Sequence, residues 1–206
     1  MNFLHHRLCR SSLWRKTLQQ RVPWVLEGRD LGSSVLELGP GPGLTTDLLR
    51  SSVSHLTALE LDPSLATSLR TRMAASNVEV VNGDATAMPF ADEQFSAGIA
   101  LTMLHHVPSP ELQDQALREM WRVLKPGGIF VGSDSLQSWL MRLIHIGDTL
   151  VPLDPVTFGG RLAAAGFDGV LVERKANVFR FCARRPPRTT TLHDTSGDES
   201  TLLKKG

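Results

Sequence analysis

Val35-Leu36-Glu37-Leu38-Gly39-Pro40-Gly41-Pro42-Gly43 is the stretch that decides the fold of this chain. A short apolar run opens into glycines at alternating positions, and Leu44 to Arg50 then carries helical periodicity. A buried parallel strand that turns through a tight loop into a helix reads this way, and it forms the first half of a nucleotide-type βαβ unit. Gly39, Gly41 and Gly43 lack Cβ atoms, so the backbone can take positive φ and a ligand can approach closely.

The residues around the loop narrow the ligand. The dinucleotide fingerprint G-x-G-x-x-G needs a glycine at position 44, where Leu44 stands, and no Gly-Lys-Ser/Thr follows for a phosphate loop. A strand acid such as Glu37 repels a pyrophosphate and tolerates a cationic amino group. The loop therefore favours a zwitterionic, sulfonium-bearing ligand over a diphosphate; a purely structural turn is the plain alternative.

Two later strands supply further acids. Leu56-Thr57-Ala58-Leu59-Glu60-Leu61 is a second short apolar run, and Glu60 lies 19 residues after Gly41. At that distance the end of the second strand places a carboxylate against the two hydroxyls of a ribose, and one carboxylate accepts both. Val78 to Asn82 is a third strand, followed by Gly83-Asp84-Ala85. Asp84 is placed to accept from an exocyclic amino group while the Ala85 N–H meets a ring nitrogen, which together read an adenine edge.

With these pieces in place, the chain resembles the class I S-adenosylmethionine-dependent methyltransferases, and among them the small type 11 group. The resemblance runs from about Leu31 to Arg185. It rests on the glycine stretch, Ala-Leu-Glu-Leu-Asp-Pro (58–63), Gly-Asp-Ala-Thr-Ala-Met-Pro-Phe (83–90), Leu-His-His-Val-Pro (104–108) and Arg-Val-Leu-Lys-Pro-Gly-Gly-Ile-Phe (122–130), in that order. It implies S-adenosyl-L-methionine as cofactor. Glu37 and the glycine loop would hold its methionine end, Glu60 with Leu61 its ribose, and Asp84 with Ala85 its adenine. Ala100, Leu101 and Thr102, past the fourth strand, would lie near the methionine moiety.

Composition agrees. At 206 residues, with 41% hydrophobic and 21% charged residues, the chain suits one domain with a full core. The N-terminus shows no signal-peptide apolar region, and no run approaches the roughly 18 apolar residues of a membrane span. Cys9 and Cys182 are the only cysteines and lie far apart, which fits a reducing, cytoplasmic setting. The net charge of +1 is uneven: residues 1–30 and 161–206 each carry +4 and residues 31–160 carry −7. Basic ends suit an acidic partner, but solvated charge around an acidic cofactor domain is the more economical reading. The Asn/Asp-Pro-Pro-aromatic loop of amino-group nucleic-acid methylases is missing, so no nucleic-acid partner is expected.

Strands are predicted near 35–39, 56–61, 78–82, 95–100 and 128–134, with helices between them. A helix over Ser11–Glu27 precedes the first strand, and Pro23 marks a kink or break in it. Lys125-Pro126-Gly127-Gly128 is read as a terminating turn after the helix Glu111–Leu124. Gln137–Leu150 and Thr157–Ala165 are predicted helices, and Val170–Arg174 pairs with Val178–Ala183 as an antiparallel hairpin. The pattern specifies an α/β, Rossmann-like, doubly wound sheet of seven strands, mostly parallel with an antiparallel C-terminal hairpin. Residues 1–30 would form a helical substrate-covering segment, 31–185 the methyltransferase domain, and 186–206 a disordered tail.

The chemistry would be in-line displacement at the sulfonium methyl, with the protein supplying position and desolvation. Candidate bases are His145, His105 and His106. His145 and Asp148, read as i and i+3 on one helix, would form an oriented pair over the substrate, and structural or capping roles suit His105 and His106 better. No cysteine or second histidine at ligand spacing accompanies His145, so no metal is expected. Trp14, Trp139, His145 and Asp148 would line the acceptor site, and Trp24 and Met141 lie in the same two segments; these point to a small, apolar or lipid-like molecule bound by a monomer or homodimer. Two rivals stay open, a cofactor-binding protein without turnover and a nicotinamide-dependent reductase.

Overall fold

The computed structural model describes residues 11–188. The elements, in chain order, are α1 (Ser12–Leu26), β1 (Ser34–Leu38), α2 (Leu44–Leu49), β2 (His55–Glu60), α3 (Pro63–Met73), β3 (Val78–Asn82), β4 (Phe95–Leu101), a 3-10 turn (Leu104–His106), α4 (Pro110–Val123), β5 (Leu124–Ser135), α5 (Trp139–Ile144), α6 (Pro155–Ala164), β6 (Asp168–Lys175) and β7 (Val178–Arg184). They form one seven-stranded sheet in the order β3-β2-β1-β4-β5-β7-β6. The pairs β1–β2, β1–β4, β2–β3 and β4–β5 are parallel, and β7 runs antiparallel to both β5 and β6. The sequence-derived architecture is the one found.

Three helices begin with the same device. Asp62, Ser109 and Asp154 cap α3, α4 and α6 by accepting backbone N–H bonds, and each is followed by a proline in the first turn. Proline there costs nothing, because its missing N–H would have no partner in the first turn. Pro23, by contrast, lies inside α1, which runs through it without a break.

The sheet separates two core layers. Leu36, Leu38 and Phe130 pack with Leu117 and Met120 of α4 and with Phe158 and Leu162 of α6. Val35, Ala97 and Ile99 pack with Val22 and Val25 of α1 and Leu49 of α2. Residues 35 and 36 of one strand thus enter opposite layers, as a strand buried on both faces requires.

The structure corrects two local expectations. Lys125 to Gly128 is not a turn ahead of β5; it is a bulge inside β5, where the register opposite β4 jumps from Phe95–Leu124 to Ala97–Ile129. Gly127 takes φ +81°, and a Cβ on Gly128 would fall 2.8 Å from the Lys125 carbonyl and 2.9 Å from that of Ser96. The predicted helix over 137–150 stops at Ile144, because Gly147 takes φ +79° and the Asp148 N–H turns back onto the His145 carbonyl at 2.8 Å. The predicted disordered tail lies largely outside the described residues, and Pro186 to Arg188 carry no regular structure.

Candidate cofactor and acceptor site

The strand order reverses between β1 and β4, and a crevice opens there beyond the carboxyl ends of the strands, as expected for an open α/β sheet. It is a cavity of about 1130 Å³. One end is walled by Gly39, Gly41, Glu60, Leu61, Gly83, Asp84 and Ala85, and the other by His105, His106, His145, Met141 and Asp148. Trp14, Leu18 and Arg21 of α1 complete the wall.

At the first end the glycine loop is shaped from both sides. Gly39, Gly41 and Gly43 take φ of +59°, +55° and +80°. The Gly41 N–H donates to Glu60 Oε2 at 2.8 Å and the Asp62 N–H to Oε1 at 3.0 Å. Both Glu60 oxygens are thereby oriented while keeping lone pairs for hydroxyl donors. Arg72 of α3 holds the loop from outside, donating to the carbonyls of Pro42 at 3.0 Å and Gly43 at 3.2 Å and to both Asp47 oxygens. The Thr86 N–H fixes Asp84 at 2.8 Å.

Glu37 lies beneath this loop, off the cavity wall and 1% exposed. The Thr45 and Thr46 hydroxyls of α2 donate to it. Burial pushes its carboxyl up to about 7, against the pull of those two hydrogen bonds. Gly43 and Ala100 also stand behind the wall, whereas Leu101 and Thr102 lie on it. Thr102 takes φ +54°, a left-handed conformation rare for a β-branched residue. Strain of that kind costs about 1–3 kcal/mol and concentrates at ligand sites.

The second end differs from the sequence reading. His145 does lie on the wall, but at the C-cap of α5, with Asp148 in the turn beyond, not on a shared helix. Its Nδ1 meets the Met141 carbonyl at 2.7 Å. The carboxylate that orients a histidine directly is Asp134, at the end of β5: Oδ1 stands 2.6 Å from His105 Nδ1, and both residues are almost fully buried. Asp134 also accepts from the backbone N–H groups of His105 and Ser135. His105 is therefore a cavity residue with a positioned ring. Burial holds His145 below the usual histidine pKa, chiefly by desolvation, so its ring is neutral near pH 7.

The structure gathers His105, His106 and His145 with ring centroids 4.1–5.2 Å apart. No second histidine stands at ligand spacing from His145 in the sequence, yet the fold brings two beside it. The partners come from the turn after β4, about forty residues earlier, which no local spacing reveals. Gln113, 1% exposed, ties the two segments together by donating to the carbonyls of Leu104 and Val151. Trp139 is corrected as well: it is 76% exposed and lies off the wall. Arg21 was missed. Its Nη1 is buried without a hydrogen bond among the described residues, and desolvation lowers its pKa. The spacing of Trp14, Leu18 and Arg21 along one helix face was the available signal.

Comparison with known proteins agrees with this geometry. The family described as "Methyltransferase domain" matches residues 36–132. A demethylmenaquinone methyltransferase of Clavibacter sepedonicus is 34% identical over 120 residues, 58% of this chain and 46% of that protein. A probable ribosomal RNA small subunit methyltransferase A of Thermococcus onnurineus is 43% identical over 67 residues, 32% of this chain and 24% of that one. This chain thus spans less than half the length of either relative. A Pyrococcus horikoshii protein of known crystal structure shares the fold at a TM-score of 0.72 and 19% identity, over 86% of this chain and 93% of that one. The fold is the one found in the class I S-adenosylmethionine-dependent methyltransferases. Over residues 36–132 the chain is similar to that methyltransferase family, a likeness that supports S-adenosylmethionine as the cofactor.

Proposed function

We propose that this protein transfers the methyl group of S-adenosylmethionine to a small, largely apolar acceptor and releases S-adenosylhomocysteine. The observation that carries this reading is the single cavity that joins the glycine-loop end to the histidine end. At the first end Glu60 takes the ribose hydroxyls, and Asp84 with the Ala85 N–H takes the adenine. Glu37 acts from below the loop, anchoring it through Thr45 and Thr46, and a cationic cofactor end above it would favour loss of the Glu37 proton. Arg21 supplies a desolvated cation for the cofactor carboxylate or an anionic acceptor. The acceptor enters under α1 and α5 and meets the histidine wall, where a hydroxyl would lose its proton.

As the acceptor's new bond to the methyl carbon forms, the S–C bond breaks and its electron pair returns to sulfur. Holding both reactants in line is worth about 7–11 kcal/mol. The relative named as a demethylmenaquinone methyltransferase supports quinone-type rings as the first acceptors to assay. A ribosomal RNA acceptor is the second reading, favoured by the Thermococcus match and opposed by the missing Asn/Asp-Pro-Pro-aromatic loop. The test is release of S-adenosylhomocysteine with a panel of phenols, quinols, carboxylates, lipids and an RNA duplex. Turnover on a ring compound is the expected result. Cofactor binding without turnover on any acceptor would favour the non-enzymatic alternative, and NAD(H) binding in its place would favour the reductase.

A further inference from the structure

We propose that His105, His106 and His145 form a binding site for one divalent transition-metal ion of the zinc class, with an open coordination position facing the cavity. One candidate ligand nitrogen from each residue lies within 4.8 Å of the others. A tetrahedral site with metal–nitrogen bonds of about 2.0–2.1 Å needs nitrogens about 3.4 Å apart. Reaching that spacing requires the rings to turn toward one another.

The hydrogen bonds behind the rings fix where their lone pairs lie. The Met141 carbonyl only accepts, so His145 Nδ1 carries a proton and the neutral ring's lone pair is on Nε2. Asp134 accepts from two backbone N–H groups as well, so the proton of its short contact belongs to His105 Nδ1. That leaves His105 Nε2 as the second donor atom. It is buried and has no hydrogen-bond partner among the described residues, although the residue is 3% exposed and lies on the cavity wall. A buried polar atom left so costs about 1–3 kcal/mol, and a bound cation removes that cost.

A histidine that binds metal almost always donates its other N–H to a carboxylate or a backbone carbonyl. Both arrangements are present here, one on each side of the cluster. Asp134 and Asp148 supply negative field at His145, and Arg21 is near enough to Asp134 to feel its charge. Three imidazoles select zinc, iron, nickel or copper over magnesium or calcium, and three protein ligands leave the fourth position open.

The site deepens the proposed function and, in its catalytic part, rests on it. An acceptor hydroxyl bound at the open position gives its proton to water and becomes an oxyanion held by the metal. The oxyanion then forms the C–O bond as the S–C bond breaks and sulfur takes the electron pair.

The experiment uses the untagged full chain, stripped with a chelator and titrated with Zn²⁺ or Co²⁺, the bound metal being counted after gel filtration. One equivalent is expected. His145→Ala and His106→Ala are each expected to weaken Zn²⁺ binding by about a hundredfold, and Asp134→Asn by about tenfold, in line with the effect of outer-shell partners. His5→Ala/His6→Ala and His55→Ala should leave it unchanged. Calorimetric S-adenosylmethionine binding to each variant shows that it is folded, and it tests the cofactor reading without reference to metal. The proposal is overturned if the stripped protein takes up no metal, if the ion follows His5 and His6, or if folded His145→Ala and His106→Ala both keep wild-type affinity. Chelator-resistant turnover that is lost in His105→Gln would assign the wall to a bare general base and overturn the catalytic part.

Discussion

The cofactor end of the cleft is assembled from short stretches that each follow a parallel strand, with the chemical residue at the strand's carboxyl end: Gly39 to Gly43 after β1, Glu60 closing β2, Asp84 after β3. The histidine end draws on the turn after β4, the end of β5, the C-cap of α5 and the face of α1, and none of these stretches carries a complete contact by itself. In the first region a residue's role follows from its place on the strand. In the second it follows from which segments the fold lays side by side, as when Gln113 bridges Leu104 and Val151 and so brings His145 toward His105. A local motif is robust to changes elsewhere, whereas a composite site fails if either segment moves.

The sharpest way to break this contrast is at Glu37, where the locally coded end rests on a buried carboxyl. Its folded carboxyl is pushed up to about 7 from an ordinary 4.5. Below pH 4.5 both folded and unfolded chains hold the proton, and the favourable contribution is fully present. Between 4.5 and about 7 only the folded chain holds it, so stability falls as pH rises, by on the order of 3 kcal/mol in all. Glu37→Gln lacks this slope. Urea unfolding at pH 5 and pH 8 should show the variant gaining on the wild type by about that amount. A difference that stays constant with pH would mean that the carboxyl is not held neutral.

Next in size is Gly43→Ala. A Cβ there would lie 2.3 Å from Arg72 Nη2 and 2.4 Å from Leu69 Cδ1, at φ +80°. Left-handed strain alone costs roughly 1–2 kcal/mol, and displacing Arg72 releases the loop carbonyls it holds. S-adenosylmethionine affinity should fall about thirtyfold, roughly 2 kcal/mol. Glu60→Ala follows, at about tenfold or 1.4 kcal/mol, the loss expected if one carboxylate there serves two ribose hydroxyls. An unchanged calorimetric affinity in Glu60→Ala would remove the ribose assignment and with it the strand-end logic of this region.

The same contrast accounts for what could be read in the sequence. The sheet, its number of strands and the glycine loop were legible because apolar runs, strand-end acids and loop glycines repeat within windows of about ten residues. The His105–Asp134 pair was not, since 29 residues and a helix separate its members. His145–Asp148 drew attention instead because it is close in sequence, and Gly147 then ended the helix that would have aligned it. The bulge at Lys125 to Gly128 was misread for a related reason: proline and glycine announce a break in regular structure, but not whether the chain leaves the sheet there or remains paired across it.

Trp139 gives the smallest expected effect and a clean control on the acceptor end. Its place in the segment after β5 and its size mark it as acceptor-lining when the sequence alone is considered, yet the ring is 76% exposed and off the cavity. Surface substitutions away from packed or charged networks usually change stability by no more than about 0.5 kcal/mol. Trp139→Ser should therefore leave the melting transition and S-adenosylmethionine affinity unchanged, and should shift the KM for any accepted ring compound less than about twofold. Met141→Ser, two residues along the same short helix but on the cavity wall, should raise that KM severalfold. Equal effects from the two substitutions would mean that α5 turns its Trp139 face inward when acceptor binds, so that the composite end is assembled by the substrate instead of waiting for it.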